Sequence, residues 1–223
     1  MKKLYFNPQI ASVDITDPTF ITLLIENKAF YWEFTNYLYN GFPDHLAYCS
    51  IETGKKDAIE DYSAFISTPW DMDLNTKPNI NALYKILKKT YANELNASVE
   101  QIQKIMETIA KEIKLDFDAE LHVDGTIRID DIFKLGNIQF QDEEQTFLGK
   151  LTRYVSVSKE LRGIGLVFIN HLRDFMDDEN IRQFLREAFY RGISVVDIET
   201  SETKSLLEDE KKIIVDSDFC FIS

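Results

Sequence analysis

Apolar positions along this chain recur in two rhythms. Near the N-terminus they fall in short blocks. Residues 4–6 and 11–15 read as short strands around a turn at Asn7-Pro8. Phe20-Ile21-Thr22-Leu23-Leu24-Ile25 is an unbroken β-branched and apolar run, the pattern of a strand buried on both faces. Ala29, Phe30, Phe34 and Leu38 follow at helical spacing as far as Asn40-Gly41. Residues 46–51 and 64–68 are further strand candidates.

From residue 79 to residue 115 the period becomes helical. Leu83, Ile86, Leu87, Tyr91 and Leu95 form one stripe, and Val99, Ile102, Ile105, Met106, Ile109 and Ile113 another. Ser98 with Gln101 has the form of a capping box, which predicts a second helix starting there. After an acidic, irregular stretch, Phe147, Leu148, Leu151, Tyr154, Val155 and Leu161 mark a third long helix. The last third returns to strand–helix–strand: a buried run at 164–169, a helix capped by Asp177 or Asp178 and closed by Gly192, and strands at 193–198, 212–215 and 219–222. Such a unit implies parallel strands. The two ends of the chain, residues 1–80 and 163–223, therefore build one α/β head, and residues 81–162 form a helical leg inserted into it.

The chain has 223 residues, 44% of them hydrophobic and 28% charged, which places it in the globular class. A chain of this size buries about 70% of its unfolded surface and needs no disulfide or structural zinc. No apolar run approaches the roughly 20 residues that span a bilayer. Met1-Lys2-Lys3 is not followed by the apolar segment of a signal peptide. Cys49 and Cys220 lie far apart, and His45, His122 and His171 show no ligand spacing, so a reducing, cytoplasmic setting without zinc is expected. The net charge of −13 is unevenly spread: residues 81–115 carry +2, and residues 116–147 carry −7. An acidic balance excludes blanket affinity for nucleic acid but not a local basic surface.

Strand–helix–strand folds often hold phosphates, through glycines that let backbone N–H groups close around the anion. Here the strand at 20–25 runs into Glu26-Asn27-Lys28-Ala29 with no glycine. Gly54-Lys55-Lys56 lacks both the earlier glycine and the hydroxyl of a phosphate loop, and Asn170 stands where an ATPase would place a metal-holding Asp. The scaffold has the shape of such folds without their chemistry. No Gly-x-Ser-x-Gly elbow occurs, neither cysteine has a histidine beside it, and His171 reads as a strand-end polar residue. No catalytic residue is assigned.

Two charged features remain. Asp116, Asp118, Glu120, Asp124, Asp130 and Asp131 place six carboxylates within 16 residues, with Gly125 allowing a sharp return. A hard divalent cation such as calcium or magnesium would relieve their repulsion. The segment also reads as a solvated acidic loop or as a two-metal nuclease site. It is not an EF-hand, because Leu121 and Ile127 stand at the positions of the turn glycine and the bidentate glutamate. The basic feature lies on helices: Lys85, Lys88 and Lys89 share a face, Lys104 and Lys111 share another, and Lys134, Lys150 and Arg153 lie beyond. These eight cations are either an ordinary solvated surface or contacts for a phosphate backbone. No helix-turn-helix or aromatic single-strand platform is evident.

The order of elements resembles a known family. Pro18-Thr19-Phe20-Ile21-Thr22 leads into an aromatic helix ending Tyr37-Leu38-Tyr39-Asn40. Asp71-Met72-Asp73-Leu74-Asn75 precedes the first long helix, and Asp124-Gly125 precedes Ile132-Phe133-Lys134-Leu135-Gly136. Leu166-Val167-Phe168-Ile169-Asn170 comes before an acid-capped helix, a strand and Ile213-Ile214-Val215-Asp216-Ser217-Asp218. In this colinear order the whole chain resembles the small accessory adaptation protein of type II-A CRISPR–Cas systems, the Csn-two family. The resemblance implies an ATPase-like α/β head without a working nucleotide site, plus a helical leg. It implies a homotetrameric ring whose positively charged hole takes double-stranded DNA without sequence preference. It further implies Ca2+ supporting the ring and a non-catalytic part in spacer acquisition beside the integrase and the type II effector nuclease. The acidic segment corresponds to the family's calcium region, with Asp118, Glu120 and Asp124 as its ligands ahead of Asp116, Asp130 and Asp131. His122-Val123 stands where the family usually has a more acidic pair.

Overall fold

The computed structural model describes residues 2–6, 11–43, 48–52, 59–115, 126–141, 143–202, 207, 209–218 and 221–222. The chain divides into two compact units, Met1–Leu74 with Asp142–Ser223, and Asn75–Gln141.

The first unit carries two sheets. Strand β1 (Lys3–Phe6) pairs antiparallel with β2 (Ala11–Asp14) and with β4 (Cys49–Glu52), forming a small sheet in the order β2-β1-β4. The N-terminal strands therefore do not join the main sheet. That sheet contains β3 (Phe20–Ile25), β5 (Ser63–Ile66), β6 (Leu166–Asn170), β7 (Ser194–Glu199), β8 (Lys211–Val215) and β9 (Phe221–Ile222), in the order β5-β6-β7-β3-β8-β9. All its pairings are parallel except β8 with β9.

Apolar side chains cover both faces of the parallel strands, as their continuous hydrophobic runs require. On one face Ile21, Leu23, Phe168, Val196, Ile198 and Ile213 pack with Phe30 and Phe34 of helix α1 (Lys28–Tyr39). Leu4 and Phe6 of the small sheet belong to the same core. Helix α2 is the short Ile59–Tyr62. Gly165, just before β6, accepts the Tyr62 ring so closely that a Cβ there would overlap it.

The second unit is built on α3 (Lys77–Leu115), a single helix of 39 residues. The capping-box signature at Ser98 does not start a new helix. Neither glycine nor proline interrupts the chain there, and Ala92, Glu94, Leu95 and Ala97 are good helix formers, so helix passes straight through. Against α3 lies α4 (Ile129–Leu135), which the acidic composition of the segment concealed. The ring of Tyr84 meets that of Phe133 at 5.5 Å, and Ile127 N–H donates to Gln103 Oε1 at 2.7 Å. The Asn75 amide exchanges two hydrogen bonds with the Phe140 backbone, at 2.8 and 3.0 Å, and ties the two ends of this unit together.

Three further helices belong to the first unit: α5 (Phe147–Arg162), α6 (Leu172–Phe175) and α7 (Asp178–Tyr190). The helix expected in the leg at its C-terminal end is α5, and it packs against α7 instead. Its buried Leu151, Tyr154 and Val155 explain this placement. It ends at Gly163, whose φ of 75° is the left-handed cap that glycine tolerates best.

The continuity of α3 predicts the outcome of a Val99→Pro substitution. Proline is tolerated at the first position of a capped helix but costs about 3 kcal/mol inside one. The variant should lose helicity by far-UV circular dichroism and melt at a lower temperature. An unchanged spectrum and melt would mean that a new helix begins at Ser98.

Candidate functional site

In open α/β sheets, ligands bind at the carboxyl ends of the strands. Here that edge is occupied by the chain's own polar side chains. Asn27 ends β3 and caps α1, accepting from Phe30 N–H at 3.0 Å while its amide donates to the Ser217 carbonyl at 2.9 Å. Asn170 ends β6, and His171 follows it in the left-handed region at φ 53°. That conformation turns the imidazole into a chain of hydrogen bonds. His171 Nδ1 lies 3.1 Å from Glu199 Oε2 at the end of β7, and Nε2 lies 3.0 Å from the Tyr31 hydroxyl, which donates to Asn170 Oδ1 at 3.0 Å. Tyr31, Asn170, His171 and Glu199 thus satisfy one another along this strand edge.

A second cluster lies on the face of the sheet turned toward α7. Asp197 is fully buried, and its Oδ1 accepts Leu172 N–H at 3.0 Å. Arg173 reaches Glu210 at 2.7 Å, Asp178 at 3.2 Å and Asp197 at 3.6 Å, with Phe20 stacked 5.9 Å from its guanidinium carbon. Glu210 also accepts from the Thr22 hydroxyl at 2.5 Å and from Leu207 N–H at 2.7 Å. Acids outnumber the guanidinium in this cluster. Burial, followed by the neighbouring Glu199, pushes the Asp197 carboxyl up to about 8. The hydrogen bond to Glu199 raises His171 above its ordinary 6.5, outweighing its partial burial.

The eight basic candidates divide between the units. Lys85, Lys88, Lys89, Lys104 and Lys111 lie exposed along α3, and Lys134 lies exposed in the last turn of α4. Lys150 and Arg153 are half-buried on α5 in the first unit. Residues 77–93 hold Lys77, Lys85, Lys88 and Lys89 and no acid, whereas Glu100, Lys104, Glu107 and Lys111 alternate at helical spacing farther along. Lys88 is bound by Asp130 at 3.1 Å, and Lys77, Lys85 and Lys89 are the other cations of that segment.

Of the six carboxylates assigned to a metal, Asp116, Asp118, Glu120 and Asp124 lie outside the described residues. Asp130 and Asp131 sit in the first turn of α4. Asp131 accepts from Arg128 N–H at 3.1 Å and from its guanidinium at 3.3 Å, which holds its carboxyl below the usual range. Lys134 approaches it at 3.7 Å. Both carboxylates thus answer cations and a helix terminus. Among the described residues no three His, Cys, Asp or Glu side chains converge as a metal-ligand group, so these two do not by themselves fit a calcium ion.

The family model of the CRISPR-associated protein Cas_Csn2 matches residues 50–219. The chain belongs to the Csn2 family. No curated protein matches it. Among solved structures, that titled "Crystal structure of Stu0660 of Streptococcus thermophilus" is similar, with a TM-score of 0.61 at 15% identity. The likeness covers 96% of this chain and 74% of that one and is one of fold. Membership of the Csn2 family makes this a CRISPR-associated adaptation protein with a mixed α/β fold, a parallel sheet and one long helix. No helix among the described residues is long and apolar enough to cross a membrane.

The sequence reading named none of Tyr31, Arg173, Asp197, Glu199 or Glu210 as site residues. Two of them left a signal: Asp197 and Glu199 alternate within the apolar run of β7, and charge on the inner face of a buried strand marks a polar site. Arg173, in the four-residue helix α6, left none.

Two measurements probe these clusters. Arg173→Leu leaves Glu210 and Asp197 buried without their cation and should destabilise the protein by about 3–5 kcal/mol in chemical denaturation. Asp197 and His171 both hold a proton in the folded chain that the unfolded chain gives up more readily. Stability should therefore fall as the pH rises from about 4, where an unfolded Asp197 gives up its proton, fall more steeply above about 6.5, where an unfolded His171 does the same, and lose the Asp197 contribution fully by about pH 8. Asp197→Asn should flatten that decline, and an unchanged slope would show that Asp197 is ionised throughout.

Proposed function

We propose that this protein is a non-catalytic, sequence-independent double-stranded DNA-binding protein of CRISPR spacer acquisition. It works in the cytoplasm as a homotetrameric ring supported by Ca2+, beside the integrase and the type II effector nuclease. The observation that carries this reading is the family match over residues 50–219. The head supports it too. Strand β3 lies between β7 and β8 in the parallel sheet, followed directly by α1, which fits an ATPase-like scaffold. Its β3–α1 turn has no glycine, and its strand edge is filled by Tyr31, Asn170, His171 and Glu199. That arrangement fits a scaffold that has lost its nucleotide.

Lys85 and Lys89, on a stretch of α3 without acids, supply cations suited to a phosphate backbone. Calcium rests on Asp116, Asp118, Glu120 and Asp124. No observation favours the alternative of a metal-dependent nuclease, since Asp130 and Asp131 are committed to Lys88, Arg128 and Lys134.

Gel shifts with linear duplex test the proposal. Binding should fall by roughly a hundredfold or more between about 50 and 500 mM salt, as release of phosphate counterions requires. Lys85→Ala with Lys89→Ala should lower the salt slope by about 2. Labelled duplex should stay intact with magnesium or manganese, and chelating calcium should reduce the tetramer in sedimentation. Salt-independent retention of DNA, or cleavage of the duplex, would overturn the reading.

A further inference from the structure

Strand β5 ends the main sheet on one side, and among the described residues no strand pairs with its outer edge. Backbone N–H and C=O groups alternate in direction along a strand. Tyr62 C=O accepts Gly165 N–H at 2.8 Å on the β6 side, so Ala64 and Ile66 face β6 and Phe65 faces outward. Among the described residues neither the N–H nor the C=O of Phe65 has a hydrogen-bond partner. Phe65 is also the one residue of the strand that is not fully buried. Open edges are commonly blunted by charge or proline, and Ser63-Ala64-Phe65-Ile66 has neither.

An open cavity of about 370 Å3 lies along this edge. Helix α1 covers one face of the sheet, and α5, packed on α7, lies on the other. Tyr39 and Phe42, from α1 and the turn after it, line the cavity opposite Tyr154 and Arg162 of α5, with Ala64 and Phe65 between them. A space bounded by both helical layers and by the outermost strand is a groove with β5 as its floor. A second copy's β5 stands between the same two walls and cannot reach that floor, whereas a single extended segment can. Charge selects its side chains. Asp71 is held by the Ser67 hydroxyl and Thr68 N–H, which leaves Glu60 on α2 and Arg162 on α5 as the charges open to a ligand. Among the described residues the ion-paired arginines are Arg128, Arg173 and Arg191, and Arg162 is not one of them. A free guanidinium suits a carboxylate, and the opposite wall is aromatic.

We propose that this groove takes an extended segment of a partner protein, which adds to β5 as a further strand by exchanging hydrogen bonds with Phe65, sets apolar side chains against Tyr39 and Phe42, and presents a carboxylate to Arg162. The inference rests on the groove alone and is independent of the DNA-binding reading.

Fluorescence anisotropy of the labelled peptide Thr-Phe-Glu-Phe-Thr with the full chain, in the absence of DNA, tests it. In an extended peptide the two phenylalanines project to one side and the glutamate to the other. The peptide should bind saturably at one per chain, and lysine in place of its glutamate should weaken binding by about tenfold. Arg162→Glu, a substitution on the surface, should reverse that preference. Only alternate amides of an added strand face β5, so N-methylation of one alternate set should abolish binding and N-methylation of the other should be tolerated. Absence of saturable binding, equal loss from both methylated sets, or a charge preference unmoved by Arg162→Glu would overturn the proposal. So would dissociation of the protein by the peptide in sedimentation, since that outcome makes a second copy the occupant.

Discussion

Carboxylates placed inside a parallel sheet must be matched by cations or protons, and the polar chemistry of the first unit follows from that constraint. Asp197, Glu199 and Glu210 are removed from water beside only one permanent cation among the described residues, Arg173. The guanidinium suits this position because its fork of donors reaches three acids from three separate segments at once. It links the turn after β6, the start of α7, the middle of β7 and the residue before β8. A lysine would supply charge without that geometry. Burial and the surrounding charge strengthen the hold of Asp197 on its proton, and the bond to Glu199 does the same for His171, so the stability of the head is tied to pH although its core is otherwise apolar.

The same arrangement bears on what the carboxyl edge of the sheet can do. A phosphate site needs backbone N–H groups that approach an anion closely, and glycine makes that approach possible. Here Asn27 directs its side chain to the first turn of α1 and to the Ser217 carbonyl, while Tyr31, His171 and Asn170 satisfy one another. An arriving nucleotide would have to break these bonds, and the carboxylates beneath them would repel its phosphates. The edge thus serves as a polar seal on the core.

Much of the fold was legible in the sequence because buried parallel strands and long amphipathic helices have strong periods. The runs at 20–25, 164–169 and 193–198 became β3, β6 and β7 within a residue or two. Local signals failed where tertiary context decides. Ser98 and Gln101 look like a cap but lie inside α3. The helix α4 was hidden by its acids, although Ile129, Phe133 and the following Gly136 carried its period and its stop. The site was less legible than the fold. Arg173 meets Asp197 and Glu210 only through strand order, which no local spacing encodes, and the left-handed turn at His171 has no glycine to announce it.

The charge pattern of α3 bears on the proposed contact with DNA. Along its far half, glutamates alternate with Lys104 and Lys111 at i+3 and i+4, spacings at which opposite charges stabilise the helix and weaken its outward field. Along its near half, one of four lysines is met by Asp130, and the cations that remain are single ammonium groups on exposed flexible stems. Such groups follow phosphates at many positions and lack the planar bidentate geometry that distinguishes base edges. For the proposed contact with DNA, a chain of net charge −13 would need its cations gathered in one stretch, and lysines of this kind suit the phosphate backbone better than base edges.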